Sequence, residues 1–372
     1  MDYREQIEEL LQLPAYGLAR EEKDELYTRL LLEGTFYHSE RCPEYRRFLR
    51  AIGFTHPDPA RRLRKQDIPF LPVSIFKEMD LKSIPEEKIF KMIMSSGTSG
   101  QRPSRIALDA QTSAIQQKVL VRIVSEEIGE QRLPCLMLDT KSVLCDREHF
   151  SARAAGILGF STFASRTCYA LNGNMGLNLE EMQSFIKQSR KKTAGKKTVF
   201  LLYGFTHIIW QFFIRALEEA GICLDLEGSV LIHGGGWKKL RDQEVTPGEF
   251  AARIRAVTGI TKVRSYYGMA EQTGSICMEC AYGSLHTSTW SDILVRRERD
   301  YSICNIGEPG ILQVLTPIAM SYPGHSLLTE DRGILLGEDD CPCGRRGRYF
   351  RVLGRLSGAE PRGCSDTFEA PR

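Results

Sequence analysis

Strand-length apolar segments alternate with helical patterns over most of this sequence, and this alternation limits the possible folds more than any other feature. The predicted strands are residues 89–94, 135–138, 199–203, 230–233, 263–267 and 311–316. The predicted helices between them are residues 112–128, 178–187, 206–220 and 247–257. Strands that alternate with helices predict an α/β fold whose sheet contains parallel pairs.

The first 66 residues differ, because their apolar residues recur at helical spacing. Ile7, Leu10 and Leu11 fall on one helix face, and Leu26 and Leu30 fall on the face of a second helix. We therefore predict an N-terminal helical lobe over residues 1–66, an α/β core over residues 67–354 and a short C-terminal tail over residues 355–372.

Composition argues against several classes of protein. The 372 residues include 50 Lys and Arg and 47 Asp and Glu, which give a net charge of only +3, and these charged residues are scattered along the sequence. No nucleic-acid groove is expected, and a small molecule or a protein is the expected partner. The start of the chain lacks a secretory pattern, and 11 irregularly spaced cysteines do not form a small disulfide framework. We therefore expect a cytoplasmic protein.

The apolar stretch 199–217 raises the question of a membrane span. Gly204, Thr206, Gln211 and Arg215 interrupt it, and it falls short of the about 20 apolar residues that a span requires. We expect a buried strand that runs into a core helix, and not an integral membrane protein.

A loop rich in serine and glycine follows the first predicted core strand. Its members are Ser95, Ser96, Gly97, Thr98, Ser99 and Gly100. The glycines flank hydroxyl residues, so backbone amides and hydroxyl groups can converge on a phosphate chain without an obstructing Cβ atom. The loop is neither a Walker A motif nor a dinucleotide-binding motif. Taken alone, such a cluster is more often an ordinary turn than a triphosphate site.

Further segments follow this loop in a fixed order, and with them the chain resembles the adenylate-forming (acyl-activating) superfamily. They are the glycine run 234–236, Tyr267-Gly268-Met269-Ala270-Glu271, and Asp331 followed by Arg355. The resemblance implies the large-domain fold of that superfamily, with an N-terminal helical lobe and a truncated C-terminal region. The chain departs from the usual signature at Ala270, and Ser104 stands where many members have lysine.

The resemblance also implies roles for these residues in binding ATP and Mg²⁺. Gly234, Gly235 and Gly236 would lie against adenine, and Tyr267, Gly268 and Met269 would complete that side of the nucleotide site. Glu271 would hold Mg²⁺, for which a carboxylate is a suitable hard ligand. Asp331 would accept hydrogen bonds from the ribose hydroxyls, and Arg355 would close the nucleotide site. Each charged residue could instead be an ordinary solvated charge.

Only 17 residues follow Arg355, so we expect this chain to lack the lysine-bearing C-terminal domain of most acyl-activating enzymes. With segments 13–18, 42–47 and 71–77, this ending resembles the LuxE acyl-protein synthetase family. The resemblance implies that ATP activates a fatty acid, that a cysteine near the C-terminus accepts the acyl group, and that a fatty-acid reductase receives it. Cys364 is the matching cysteine, and Arg362 beside it would favour a nucleophilic thiolate. An incidental tail thiol is the alternative.

Two cysteines one residue apart, Cys341 and Cys343, could join Cys280 and His286 in a tetrahedral Zn²⁺ site. The pattern resembles the phenylacetate-CoA ligase branch, some members of which bind zinc there. Cys277 is a rival ligand, and buried free cysteines beside a polar histidine are the alternative. We expect a closed, structural site.

Three functions remain open from the sequence. The leading one is an acyl-protein synthetase that acts on a carboxylic acid, expected to be a fatty acid, together with a reductase partner. The second is a CoA ligase of the phenylacetate type, in which coenzyme A accepts the acyl group and Cys364 is incidental. The third is a non-catalytic ATP-binding scaffold for the reductase.

Overall fold

The structure is a computed structural model, and it describes residues 2–55, 63–95, 103–144, 150–192, 197–237 and 242–356. These residues divide into two compact units. The first unit contains the residues up to Ile123 together with those from Gly268 onward, and the second contains Val124–Tyr267. The division into a lobe, a core and a tail stays a prediction.

The helices and strands follow the predicted alternation. The helices are α1 (Tyr3–Leu10), α2 (Arg20–Arg41), α3 (Pro43–Ala51), α4 (Ile75–Glu78), α5 (Ala110–Ile128), α6 (Ala152–Ser161), α7 (Leu179–Lys192), α8 (Thr206–Ile208), α9 (Arg215–Glu219) and α10 (Pro247–Thr258). The strands are β1 (Leu71–Pro72), β2 (Lys91–Met94), β3 (Arg105–Leu108), β4 (Leu133–Thr140), β5 (Phe150–Ser151), β6 (Ala164–Leu171), β7 (Leu201–Phe205), β8 (Val230–Gly234), β9 (Lys262–Tyr267), β10 (Cys277–Glu279), β11 (Leu285–His286), β12 (Asp292–Arg296), β13 (Pro309–Leu315), β14 (Ser326–Glu338) and β15 (Arg348–Arg355).

The second unit is built on parallel strands in the order β6-β4-β7-β8-β9. The chain passes through α7 between β6 and β7 and through α10 between β8 and β9. These strands and helices bury a shared apolar core that includes Leu136, Leu202, Leu231 and Ile254. The α/β fold with parallel pairs is therefore confirmed, because the strands need helical crossovers to run in one direction.

The apolar stretch 199–217 folds as a buried strand followed by a helix, as predicted. After β7, α8 continues through a π-helical turn (Ile209–Ile214) into α9. Ile209, Trp210 and Phe213 from that turn belong to the core. Within the described ranges, no helix is long and apolar enough to cross a bilayer.

Helix α10 begins where its sequence predicts. Thr246 is the N-cap, and its Oγ1 accepts a hydrogen bond from the backbone N–H of Glu249 at 3.2 Å. Pro247 occupies the first helical position, where it loses no intrahelical hydrogen bond. The helix ends at Gly259, whose φ of +75° is the left-handed conformation of a helix C-terminus.

The first unit contains an antiparallel arrangement in the order β12-β13-β14-β15-β11-β10, with β1 parallel to β14. Helices α1 and α2 pack against this sheet. The Tyr3 hydroxyl donates to the Pro317 carbonyl at 2.7 Å, and the Tyr27 hydroxyl donates to the Thr289 carbonyl at 2.9 Å. Because these hydroxyls are buried, their hydrogen bonds fix the helices on the sheet.

Candidate active site

The candidate phosphate loop connects the two strands of an antiparallel hairpin. Strands β2 and β3 pair from Lys91 with Leu108 to Met94 with Arg105. Beyond this pairing, the Ser95 N–H donates to the Ser104 carbonyl at 3.1 Å, and the Ser104 N–H donates to Ser95 Oγ at 2.8 Å. Ser95 and Ser104 therefore hold together the two ends of the loop. The other predicted loop residues, Ser96, Gly97, Thr98, Ser99 and Gly100, lie outside the described residues.

Ser104 explains one departure from the usual signature. It stands where many members of the resembling superfamily have lysine, and it is fully buried. A lysine with the same backbone placement would bring its ammonium group into the interior, which is costly without a partner. Position 104 therefore carries no cationic side chain in this protein.

The glycine run lies at the carboxyl end of β8, beside the end of β9. Gly234 pairs with Tyr266, and a Cβ atom on Gly234 would lie only 2.4 Å from the Tyr266 ring. The packing of Tyr266 thus requires glycine at position 234. A Cβ atom on Gly236 would meet nothing within 4 Å, so this glycine borders open space. Tyr267 directs its side chain to the face of β9 opposite Tyr266, because side chains alternate along a strand.

Thr206 joins the start of α8 to the glycine run. Its Oγ1 donates to the Gly235 carbonyl at 2.8 Å and lies 2.9 Å from Nδ1 of His233. Burial lowers the pKa of His233 to about 4, so this ring is neutral at neutral pH. The sequence predicted Thr206 only as the start of a helix. Its contacts with His233 and Gly235 arise from the parallel pairing of β7 with β8, which places the ends of the two strands side by side.

In the first unit, Glu271 lies in a buried 3₁₀ turn (Ala270–Gln272) that follows Gly268 and Met269. The Tyr322 hydroxyl donates to the Glu271 carbonyl at 2.8 Å. The side-chain amide of Gln272 donates to the carbonyls of Val314 at 3.2 Å and Gly324 at 3.1 Å. The backbone that follows the Glu271 Cα atom is thus tied, at the Glu271 carbonyl and at Gln272, to β13 and to the segment before β14.

Gly274 lies two residues beyond the same turn and fixes the path of the chain that leaves it. Its φ is +84°, and a Cβ atom there would lie 2.4 Å from the Gln116 carbonyl oxygen in α5. Only glycine satisfies both the left-handed backbone and this close contact. The sequence analysis missed Gln272, Gly274 and Tyr322, although the Pro323-Gly324 pair after Tyr322 is a local signal of a turn.

Asp331 and Arg355 lie opposite each other in the pairing of β14 with β15. The Arg355 guanidinium forms an ion pair with the Glu330 carboxylate at 2.5 Å. Arg355 Nε is buried, and among the described residues no hydrogen-bond acceptor reaches it. The arginine is therefore anchored on one side by Glu330.

The candidate residues are distributed over the two units. The second unit contains Gly234, Gly235, Gly236 and Tyr267, and the first contains Ser95, Gly268, Met269, Glu271, Asp331 and Arg355. Cys364, the candidate acyl acceptor, lies outside the described residues.

Cys280, His286, Cys341 and Cys343 form a compact cluster in the first unit. Their ligand atoms all lie within 4.8 Å of one another. Sγ of Cys280 is 3.9 Å from Sγ of Cys341, and Sγ of Cys343 is 3.3 Å from Nε2 of His286. Zinc–ligand bonds of about 2.0–2.3 Å in a tetrahedron separate ligand atoms by about 3.3–3.8 Å, so these residues fit Zn²⁺. The rival ligand Cys277 is not part of this cluster.

The protonation of this cluster depends on a cation. Burial, with a smaller effect from Arg345, lowers the pKa of His286 to about 4, so its ring is in the neutral form that binds metals. Burial raises the pKa of Cys341 to about 12, so its thiolate would need a positive charge beside it. A zinc ion supplies that charge.

Glu271 fits Mg²⁺ by its donor chemistry. Its side chain is buried at 2 % exposure and carries carboxylate oxygens, the ligands that magnesium prefers. Asp331, in the first unit, carries a carboxylate that can accept hydrogen bonds from hydroxyls, and Gly236, in the second unit, borders open space.

The fold is that of the adenylate-forming ligases. The structure aligns with an open conformation of 2-hydroxyisobutyryl-CoA ligase in complex with 2-HIB-AMP and CoA, with a TM-score of 0.65 and 18 % identity. The alignment covers 91 % of this chain and 76 % of that one. A postadenylation-state structure of the same ligase aligns with a TM-score of 0.65 and 17 % identity, covering 91 % and 69 % of the two chains. The predicted superfamily fold is confirmed.

The chain belongs to the LuxE acyl-protein synthetase family, whose family model matches residues 5–370. The long-chain-fatty-acid–luciferin-component ligase of Vibrio harveyi is 21 % identical over 351 residues, which are 93 % of this chain and 88 % of the relative. The ligase of the same name from Aliivibrio fischeri is 21 % identical over 356 residues, with the same coverage. The chain is therefore an AMP-forming ligase that activates an acyl group, as predicted.

Proposed function

We propose that this chain uses ATP and Mg²⁺ to convert a fatty acid into acyl-AMP, transfers the acyl group to Cys364 and passes it to a protein partner such as a fatty-acid reductase. The observation that carries this proposal is the family match over residues 5–370, which includes the position of Cys364. The names of the Vibrio and Aliivibrio relatives support a long-chain fatty acid as the substrate.

In the first step, a carboxylate oxygen of the acid attacks the α-phosphorus of ATP. The bond from that phosphorus to the bridging oxygen breaks, and pyrophosphate leaves. Residues 95–100 bind the phosphates in this proposal, Gly234–Gly236 with Tyr267, Gly268 and Met269 bind adenine, and Asp331 binds the ribose hydroxyls. Arg355 closes the nucleotide site. Glu271 would hold Mg²⁺, which when bound would neutralise charge on the phosphates.

In the second step, the Cys364 thiolate attacks the acyl carbonyl carbon. The bond from that carbon to the AMP oxygen breaks, AMP leaves, and a thioester remains on the enzyme. A nucleophile of the partner then takes the acyl group and regenerates the thiol.

The test is the Cys364→Ala variant, examined with radioactive fatty acid and ATP. We expect ATP–pyrophosphate exchange to continue at the parent rate, since adenylation does not use the thiol, while covalent labelling of the protein is lost. Cys223→Ala is the matched control, because Cys223 is an exposed free thiol, and it should keep full labelling. Undiminished labelling of Cys364→Ala would contradict the proposal.

A CoA ligase is the second candidate, and the fold similarity to 2-hydroxyisobutyryl-CoA ligase favours it. In that case coenzyme A accepts the acyl group and Cys364 has no role. Formation of a CoA thioester by Cys364→Ala at the parent rate would favour this candidate. The scaffold function requires that no carboxylic acid supports pyrophosphate exchange, and such a result would favour it instead.

We also propose that Cys280, His286, Cys341 and Cys343 hold a structural Zn²⁺ ion. The proposal is supported by the ligand separations of 3.9 and 3.3 Å and by the neutral His286 ring. All four positions are taken by protein side chains, so the ion would have no open position for substrate.

A further inference from the structure

The Glu271 side chain depends on a short turn that the side chains of Tyr322 and Gln272 tie to distant parts of the chain. Tyr322 is fully buried, and its hydroxyl donates to the carbonyl of Glu271 itself at 2.8 Å. Gln272, the next residue, donates to two carbonyls on either side of Tyr322 in sequence, those of Val314 and Gly324. Glu271 is therefore held by the hydrogen bond that its carbonyl accepts from Tyr322. The two hydrogen bonds that the side chain of Gln272 donates hold the next residue of the turn.

We infer that Tyr322 and Gln272 are positioning residues that set the Glu271 carboxylate for the magnesium–ATP complex. This inference rests on the proposed role of Glu271 in holding Mg²⁺. The Glu271 side chain is attached to its Cα atom, so a displacement of the turn moves the carboxylate oxygens by a similar distance. Metal binding is sensitive to such displacement, since magnesium tolerates little departure from its preferred geometry.

The surroundings of Tyr322 suit a rigid donor. Its ring packs edge-on against Phe76 with centroids 5.9 Å apart, and a Cβ atom on Gly324 would lie only 2.2 Å from the ring. Burial, and secondarily the charge of Glu271, hold the pKa of Tyr322 well above its ordinary value. The hydroxyl therefore keeps its proton at neutral pH and can donate this hydrogen bond.

The experiment compares Tyr322→Phe with Tyr27→Phe. Tyr27 is an ideal control because it is also fully buried, lies in the same unit and donates to a backbone carbonyl, that of Thr289 at 2.9 Å. Each variant removes one hydroxyl and one hydrogen bond of the same kind, so both should lower thermal stability to a similar degree. Only Tyr322→Phe should change the response to the metal.

Two measurements test how the variants respond to the metal ion. The first is ATP–pyrophosphate exchange as a function of free Mg²⁺, and we expect Tyr322→Phe to raise the half-saturating concentration about three- to tenfold. At saturating Mg²⁺, its kcat should return to within about twofold of the parent value. The second measurement needs no turnover: binding of Mn²⁺ in the presence of a non-hydrolysable ATP analogue, followed by electron paramagnetic resonance, should weaken by the same factor.

Glu271→Gln separates failure of this inference from failure of the proposed function. If Glu271→Gln leaves the Mg²⁺ and Mn²⁺ responses unchanged, then the role proposed for Glu271 is wrong. If Glu271→Gln changes them but Tyr322→Phe does not, or Tyr27→Phe changes them equally, then the positioning role of Tyr322 is overturned. Should Tyr322→Phe fail to fold, Gln272→Met removes the two donated bonds at similar side-chain length and is expected to give the same shift in metal response.

Discussion

Two buried histidines lie against each other in the first unit. The rings of His38 and His325 are stacked with centroids 5.0 Å apart and an angle of 15°. Nδ1 of His38 is 2.7 Å from Ser83 Oγ, and Nε2 of His325 is 3.0 Å from Thr35 Oγ1. Burial lowers the pKa of both rings, that of His325 to about 3. Both are neutral at neutral pH, and His325 directly follows the Gly324 carbonyl that holds Gln272.

This pair predicts a loss of stability in mild acid. An unfolded histidine binds a proton below about pH 6.5, whereas folded His325 does so only near pH 3. The unfolded state therefore binds more protons between these values, and stability falls as the pH falls through that window. From pH 7.5 to pH 5.5, the loss from His325 alone should be about 1.4 kcal/mol.

Urea unfolding of the parent and of His325→Gln at the two pH values checks this expectation. The variant should lose less stability than the parent on acidification, by about 1.4 kcal/mol. Because each protein is compared with itself, any constant cost of the substitution cancels. An equal loss in parent and variant would mean that His325 is not the group that binds the proton.

At the scale of the elements, the cluster of cysteines and histidine joins a hairpin to a loop. Cys280 follows β10 and His286 lies in β11, while Cys341 and Cys343 lie between β14 and β15. Strand β11 pairs with β15, which brings the hairpin beside the loop. A zinc ion would thus cross-link the connection between β14 and β15 to the hairpin formed by β10 and β11.

Removal of this zinc should destabilise the protein. The enzyme purified without chelator should contain about one zinc per chain, and Cys343→Ser should lose it and unfold more than about 5 °C lower. Cys277→Ser is the matched control, since Cys277 is a nearby buried cysteine outside the cluster, and it should retain the metal. Elemental analysis and thermal unfolding give the two readouts, and less than about half a zinc per parent chain would count against the site.

At the scale of the whole molecule, the proposed reaction requires one ligand, the acyl-adenylate, to bind the native chain. A ligand that binds only the native state stabilises it by an amount that grows with the logarithm of the ligand concentration divided by its Kd. The candidate nucleotide-binding residues come from both units, so the response of the full chain is the relevant quantity. Ligand binding can therefore report on the class of acid.

A non-hydrolysable acyl-adenylate analogue with a long aliphatic chain should raise the midpoint of thermal unfolding. At a concentration about a thousand times its Kd, the rise should be about 5 °C for a chain of this size. The phenylacetyl analogue, which has the same nucleotide and linkage, should give a smaller shift at the same concentration. A larger shift with the phenylacetyl analogue would point to an aromatic acid and away from a fatty acid.

Local patterns in the sequence determined the elements of the second unit and the order of the candidate motifs. The predicted strands at 135–138 and 230–233 lie within β4 and β8, and the predicted strand at 199–203 overlaps β7 (Leu201–Phe205). Helix α10 begins at Pro247 as predicted. Such features depend on neighbours a few residues away, including the Thr246 cap and the apolar repeat. Cys341 and Cys343 were likewise recognisable, because their spacing is a property of the sequence itself.

Only the tertiary structure decided which distant residues meet. Cys280, and not Cys277, lies 3.9 Å from Cys341, because the pairing of β10, β11 and β15 sets which cysteine faces the loop. The Tyr322 hydroxyl reaches the carbonyl of Glu271, from which it is separated by 51 positions in sequence, and Gly234 is required by the Tyr266 ring on a neighbouring strand. These contacts depend on strand register and on the paths of turns, which local periodicity does not specify.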